Sequence, residues 1–198
     1  MDRKSINAEL RQQFFPLLTA AGFTRKGDVL YRELPGPIVH IAEVQHRPRN
    51  GVFQINLGAH LPSLDDIASG QTIAPADMRD YECAWRGSII SGFRTSSDAE
   101  FAYGSTAEEA AESVAFLVSE WPRQAAQFFD PLSNFPDGFR ERCTQVLNED
   151  LHPAHLLTWA KVALLVNDPE LAKRIATAAL PSVPERATSL RENLEALL

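Results

Sequence analysis

Thiol chemistry is scarce in this chain: its only cysteines, Cys83 and Cys143, lie far apart and form neither a CxxC motif nor a disulfide framework. Two buried thiols in a reducing cytoplasm are the expectation. Long apolar runs are missing too. A membrane-spanning helix needs about 20 consecutive apolar residues, and the longest such stretch, towards the C-terminus, is broken by Lys161. The opening MDRKSINAELRQQ lacks the apolar core of a signal peptide. A soluble cytoplasmic protein with no membrane partner is therefore expected. No GxxxxGKS/T or GxGxxG loop is present to cradle phosphate, and no GxSxG elbow presents a serine nucleophile. No cofactor is expected.

Positive charge is the other shortage, and it is local. The net charge is −7, yet residues 1–50 carry 8 Lys+Arg against 5 Asp+Glu, whereas residues 51–130 carry 4 against 12. Nucleic-acid binding draws on clustered Lys and Arg that release counterions from phosphate, so an acidic middle without a basic stripe speaks against it. It favours solubility, or attraction to a basic protein partner. With 198 residues and 44% apolar content, the chain is large enough for one core with an appendage.

The richest stretch runs from Gly22 to His60. Before it, Ile6, Leu10, Phe14, Leu17 and Leu18 recur at helical spacing, which predicts a helix over residues 6–20, capped by Ser5, kinked at Pro16 and ended by Gly22. Within it, Val29 and Tyr31 open a strand that stops at Pro35-Gly36-Pro37. Ile38–His46 and Val52–His60 follow as two strands around Asn50-Gly51, a dipeptide suited to the positive φ of a tight hairpin. Centring the turn there pairs Val44 with Leu57 and Ala42 with Ala59 on a core face. The opposite face pairs Gln45 with Asn56 and Arg47 with Gln54, with Glu43 and His60 beside them.

Residues 61–80 are rich in Pro, Asp and Ser, with Ile67, Ile73 and Met78 as anchors, and read as a long loop. Cys83–Phe93 reads as a fourth extended segment. Thr106 followed by Glu109 is a capping-box signature, and Ala110, Val114, Leu117, Val118 and Trp121 continue a helix over residues 107–129. Helices are predicted at about 138–149, 153–166, 169–180 and 184–197, with a domain boundary near residue 133 separating an α+β domain, 1–132, from a helical extension, 133–198. Ala160, Ala172, Ala176, Ala179 and Pro184 fall at the spacings of one tetratricopeptide-like hairpin, which must pack on the domain or on another chain. Leu190, Leu194, Leu197 and Leu198 form a stripe that either packs within a monomer or seeds a homodimer. The fold class is thus α+β: an antiparallel sheet of three to four strands packed on two helices, followed by an all-helical C-terminal extension.

AAGFTRKGDVLYRE, IVHIAEVQ, FQINLGAHLP and CAWRGSI, in that order, resemble a bacterial family catalogued as domain of unknown function 4304. The resemblance covers about residues 8–125 and rests on Gly22-Phe23, Gly27, Arg32, Gln45 and Phe53 to Gly58. It implies the fold and carries no established activity.

Candidate site residues follow from the polar sheet face: Glu43, Gln45, Arg47, Gln54, Asn56 and His60, with Trp85 and Arg86 from the later segment. Facing amides can read a peptide by paired hydrogen bonds, although any antiparallel sheet with one wet face has this composition. Catalytic residues are not assigned. His152 and His155 stand at i, i+3 with Pro153 between them and no third ligand at metal spacing, and Asp65-Asp66 and Asp77-x-x-Asp80 are acidic loop pairs, so no metal is expected. The leading expectation is a noncatalytic protein-binding module, of which an acidic immunity or antitoxin-like protein facing a basic toxin is one form. The competing reading is a small hydrolase using His60 or His40 beside Glu43.

Overall fold

In the computed structural model, which describes residues 1–64 and 73–198, the first helix begins a turn earlier than its apolar spacing predicts. Asp2, not Ser5, is the cap, its carboxylate accepting from the Ser5 backbone N–H at 2.9 Å. Helix α1, Arg3–Glu9, passes through a π-helical turn, Leu10–Phe14, into α2, Phe15–Ala20. The widened turn sits where Pro16 has no N–H for the carbonyl four residues back and its ring crowds that carbonyl, so the expected kink takes the form of a π turn. Gly22, at φ +84°, ends α2 as expected: its N–H bonds Thr19 and the Phe23 N–H reaches back to Leu18.

Among the described residues six antiparallel strands follow: β1 Thr24–Lys26, β2 Val29–Leu34, β3 Ile38–Arg47, β4 Val52–His60, β5 Trp85–Ser88 and β6 Phe101–Ala102. The order is β1-β2-β3-β4-β5, and β6 pairs with the beginning of β4. The α+β class is as predicted, whereas three to four strands was an undercount. Strand β1 is exposed along its whole length and β6 is two residues long, so neither has an apolar alternation to betray it.

The β3–β4 register differs from the predicted one by two residues. Val44 pairs with Ile55, Glu43 with Asn56, Gln45 with Gln54 and Arg47 with Val52. Pro48 fixes φ and begins a 3-10 turn over Pro48–Asn50, with Gly51 left-handed at its end, so the loop is longer than a turn centred on Asn50-Gly51. Side chains alternate with a period of two, so an even slip leaves every residue on its predicted face.

One face of the sheet packs Leu30, Ala42, Val44, Phe53, Ile55 and Leu57 against α1, α2 and the long helix α3, Ala107–Phe129. Phe14 and Trp121 meet edge to face across this core at 5.1 Å. Thr106 caps α3 by accepting from the Glu109 N–H, and Pro122 lies inside α3 without ending it.

The opposite face is covered in its middle. Val29, Val39 and Ile41 are buried beneath Met78 and Cys83, with Ile73 alongside, so the described part of the 61–80 loop acts as a cover for the sheet. Gly58 makes that approach possible, since a Cβ there would stand 2.5 Å from Cys83 Sγ. Gly58→Ala should therefore lower stability by about 1–3 kcal/mol through overpacking. Urea denaturation of Gly58→Ala, Cys83→Ala and the double variant tests this: the two losses should fall short of adding, and strict additivity would refute the contact.

The C-terminal half consists of α4 Asp137–Gln145, α5 Pro153–Leu165, α6 Pro169–Ala179 and α7 Thr188–Glu195. Asp168 caps α6 through the Leu171 N–H at 3.0 Å, and α5 and α6 pack as a hairpin with Ala160, Ala172, Ala176 and Ala179 fully buried. These helices share an apolar cluster with Ile38, Ala59 and Leu61 of the sheet end. Leu194 is buried in that cluster with Leu190 and Leu197 packed against it, so most of the terminal stripe is satisfied within the chain. Among the described residues no helix is long and apolar enough to cross a membrane.

Candidate functional site

Strand alternation decides which of the predicted polar residues meet. Glu43 is half-buried and accepts from Arg79 Nη1 at 3.0 Å and from the Asp80 backbone N–H at 3.2 Å. Burial raises its carboxyl above the usual range, against the pull of the Asp80 N–H and the Arg79 guanidinium. Asn56 is buried and its Oδ1 accepts from Ser88 Oγ, while His60 Nδ1 accepts from the Ala84 N–H at 3.2 Å. Gln45 and Gln54 pair directly at the open end of the face, and Arg47 there bonds Glu100 Oε1 at 2.9 Å. Asp80, Cys83 and their neighbours thus occupy the space over Glu43, Gly58 and His60. Asp65, Asp66 and Ile67 lie outside the described residues.

The histidines of the sheet do not come together with Glu43. His40 occupies an even position of β3 and faces the helices, whereas Glu43 occupies an odd one and faces away. Asn56, the partner of Glu43, is four residues from His60 along β4, about 13 Å at strand rise. His40 is fully buried, stacked on Phe129 at 4.3 Å, accepts from Arg32 at Nδ1 and donates from Nε2 to the Leu132 carbonyl at 3.0 Å. Burial, with the Arg32 charge, holds it down at about 4 despite the Leu132 bond. Its role in this arrangement is to tie β3 to the end of α3.

Trp85 and Arg86 stand elsewhere, at the mouth of a cleft of about 550 Å³ between β5, the end of α3, α4 and α5. Gly87 lets β5 lie this close to α3: a Cβ there would meet the Phe128 ring at 2.9 Å. The Trp85 and Trp159 rings are 5.0 Å apart, and Phe139 supports Trp85 edge to face at 5.4 Å. The Arg142 guanidinium lies 5.7 Å from the Trp159 ring and is forked onto Glu149, with Nη2 to Oε2 at 2.7 Å. That pairing raises the Arg142 pKa and lowers that of Glu149.

Arg86, by contrast, is exposed and has no hydrogen-bond or ion-pair partner among the described residues. Among the described residues no Asp or Glu lines the cleft. His155 opens onto it, and among the described residues it has no carboxylate to orient it as a base, its ring meeting that of His152 at 6.3 Å. Among the described residues no cluster of His, Cys, Asp and Glu is placed to hold a metal ion. Both thiols are buried. Burial pushes Cys83 up beyond the normal thiol range and Cys143 to about 12, so neither is a thiolate nucleophile at neutral pH.

Helix α3, β5 and α5 together build this cleft, and the family match extends over all three: the family model described as Domain of unknown function (DUF4304) fits residues 14–183. The chain belongs to that family. The family match reaches past the 8–125 stretch on which the resemblance was read and takes in α4, α5 and α6. No curated protein and no solved structure matches the chain. Of the cleft residues, sequence reasoning singled out Trp85 and Arg86 and missed Arg142, Trp159, Phe128 and Thr158. These come from three helices remote in sequence, and no local spacing links them.

Proposed function

We propose that this family member is a noncatalytic protein-binding module of a bacterial cytoplasm whose partner enters the cleft at Trp85 and Arg86. The observation that carries this reading is the cleft's charge: among the described residues it has no acidic lining and Arg86 has no partner, in a chain of net charge −7. Trp, Tyr and Arg are the side chains most enriched at binding hot spots, and Trp85, Trp159, Tyr81 and Arg86 meet here. The α5–α6 hairpin, tetratricopeptide-like in its alanine spacing, supplies one wall through α5 as such hairpins do in binding scaffolds.

A basic partner, favoured by the charge of residues 51–130, fits a different surface. Phe93 and Phe116 are 56% and 46% exposed and flank a groove bordered by Glu109 and Glu112.

Capture from native cells distinguishes the two surfaces. Wild-type protein should retain a stoichiometric partner, and Arg86→Glu should weaken its retention by about tenfold or more, while Phe116→Ser leaves it intact. Loss with Phe116→Ser alone would move docking to the acidic groove. Recovery of the chain by itself, with hydrolase turnover abolished by His60→Ala, would replace the reading altogether.

A further inference from the structure

Resting on the cleft as the binding site, we infer that its ligand is a peptide segment presenting a single carboxylate beside an aromatic or bulky apolar side chain. The count of available cations sets the charge. Arg142 already forks onto Glu149, which leaves Arg86 as the one guanidinium at the cleft without a partner among the described residues. A guanidinium presents two parallel N–H donors that match one planar carboxylate. A phosphate dianion draws its affinity from several cations at once, and among the described residues the cleft offers it one unpaired guanidinium.

The walls set the body of the ligand. Besides Arg86, the cleft is lined by the Trp85–Trp159 ring pair and by Phe128, Leu132 and Leu151. An aromatic side chain seated there buries its faces against rings, in offset or edge geometry, while its carboxylate stays at the rim beside Arg86. The volume of about 550 Å³ lies within the range of pockets that enclose a ligand of several hundred daltons. Polar groups for a peptide backbone are present: Thr158 Oγ1 donates to the Ala154 carbonyl, leaving its lone pairs to accept an N–H, and the exposed Gln127 amide both donates and accepts.

Two sources supply this chemistry, a peptide C-terminus ending in Phe and an internal Glu-Phe pair. The test uses four synthetic probes: a hexapeptide ending in Leu-Phe with a free carboxylate, its C-terminal amide, an amidated peptide with internal Glu-Phe, and the same peptide with phosphoserine in place of Glu. Two of the chain's three tryptophans, Trp85 and Trp159, line the cleft, so intrinsic fluorescence reads occupancy directly, with calorimetry for affinity.

At least one carboxylate peptide should bind, and Arg86→Ala should weaken it by about ten- to a hundredfold, the worth of a hydrogen-bonded charge pair. Arg123→Ala, on an exposed arginine of α3 that pairs with Glu120, should change nothing. Preference for the free C-terminus over its amide identifies one source, and binding of the internal Glu-Phe peptide the other. Equal binding of the Leu-Phe acid and its amide, without binding of the Glu-Phe peptide, would overturn the inference. So would tighter binding of the phosphopeptide, or silence from all four probes. If the probes fail while capture from cells still depends on Arg86, the ligand class is wrong and the docking site stands.

Discussion

Replacing Phe139 by Ala should lower the stability of the fold by about 3–5 kcal/mol, a large share of the roughly 5–15 kcal/mol that holds a domain together. Phe139 is fully buried on α4 and touches three aromatic rings: Trp85 at 5.4 Å, Phe135 at 5.6 Å and Trp159 at 6.3 Å. Truncation removes the ring's transfer energy and leaves a cavity between side chains that cannot close on it, because Trp85 is tied to a strand and Trp159 to a helix. The damage should reach the sheet, since Ile38, Ala59 and Leu61 share this cluster with α4 to α7. Urea denaturation should show a lower midpoint, and hydrogen exchange at the amides of β5 should quicken. A loss under about 1 kcal/mol, within the range of a surface substitution, or unchanged β5 protection would show that Phe139 does not join the two halves. The same variant should lose peptide binding, because Trp85 forms the cleft wall that Phe139 supports.

Acid should be the second strong perturbation, and His40 its main sensor. An exposed histidine in the unfolded chain takes up a proton near 6.5, whereas His40 in the fold does so only at about 4. Between those values the unfolded state binds more protons, so stability falls as the pH drops from about 6.5 to 4 and levels off below. The difference of about 2.5 units corresponds to about 3 kcal/mol. His46, accepting from the Tyr103 hydroxyl at Nδ1 and donating to Asn7 Oδ1 from Nε2, is lowered by burial and by Arg3 and acts in the same direction. Glu43 acts oppositely, its raised carboxyl gaining stability as it takes up a proton. The His40 share is isolated by comparing the stability of wild type and His40→Gln from pH 7.5 to 4. The variant should be less stable at neutral pH, having lost part of the Arg32–His40–Leu132 chain, yet lack this slope, so that the gap narrows on acidification. Parallel curves would rule His40 out as the titrating group.

The prediction for Phe139 rests on contacts that no stretch of sequence displays, and the elements differ in this respect. Helix α3 is legible because its start is chemical and local: Thr106 and Glu109 cap it, and Val114, Leu117 and Trp121 repeat at 3.6-residue spacing into the core. The faces of β3 and β4 are equally legible. They survive the two-residue change of register because parity, not exact pairing, decides orientation. Less legible is the cover over the polar face. The anchors Ile73 and Met78 are visible as apolar residues in a polar loop, but their destination beside Val39 and Ile41 depends on Gly58 leaving room for Cys83.

What the amino-acid sequence determines by itself, then, is the local layer: the α+β order of elements, the glycine that ends α2, the cap of α3, and which side of β3 and β4 is apolar. These follow from backbone sterics and hydrophobic periodicity, which act over a few residues. Only the tertiary structure decides that a loop shields Glu43 and His60, that His40 is a buried neutral tie, and that Trp85 and Arg86 line one cleft with Trp159 and Arg142. Those relations join residues dozens of positions apart, and close packing of sequence-remote side chains leaves no trace in local spacing.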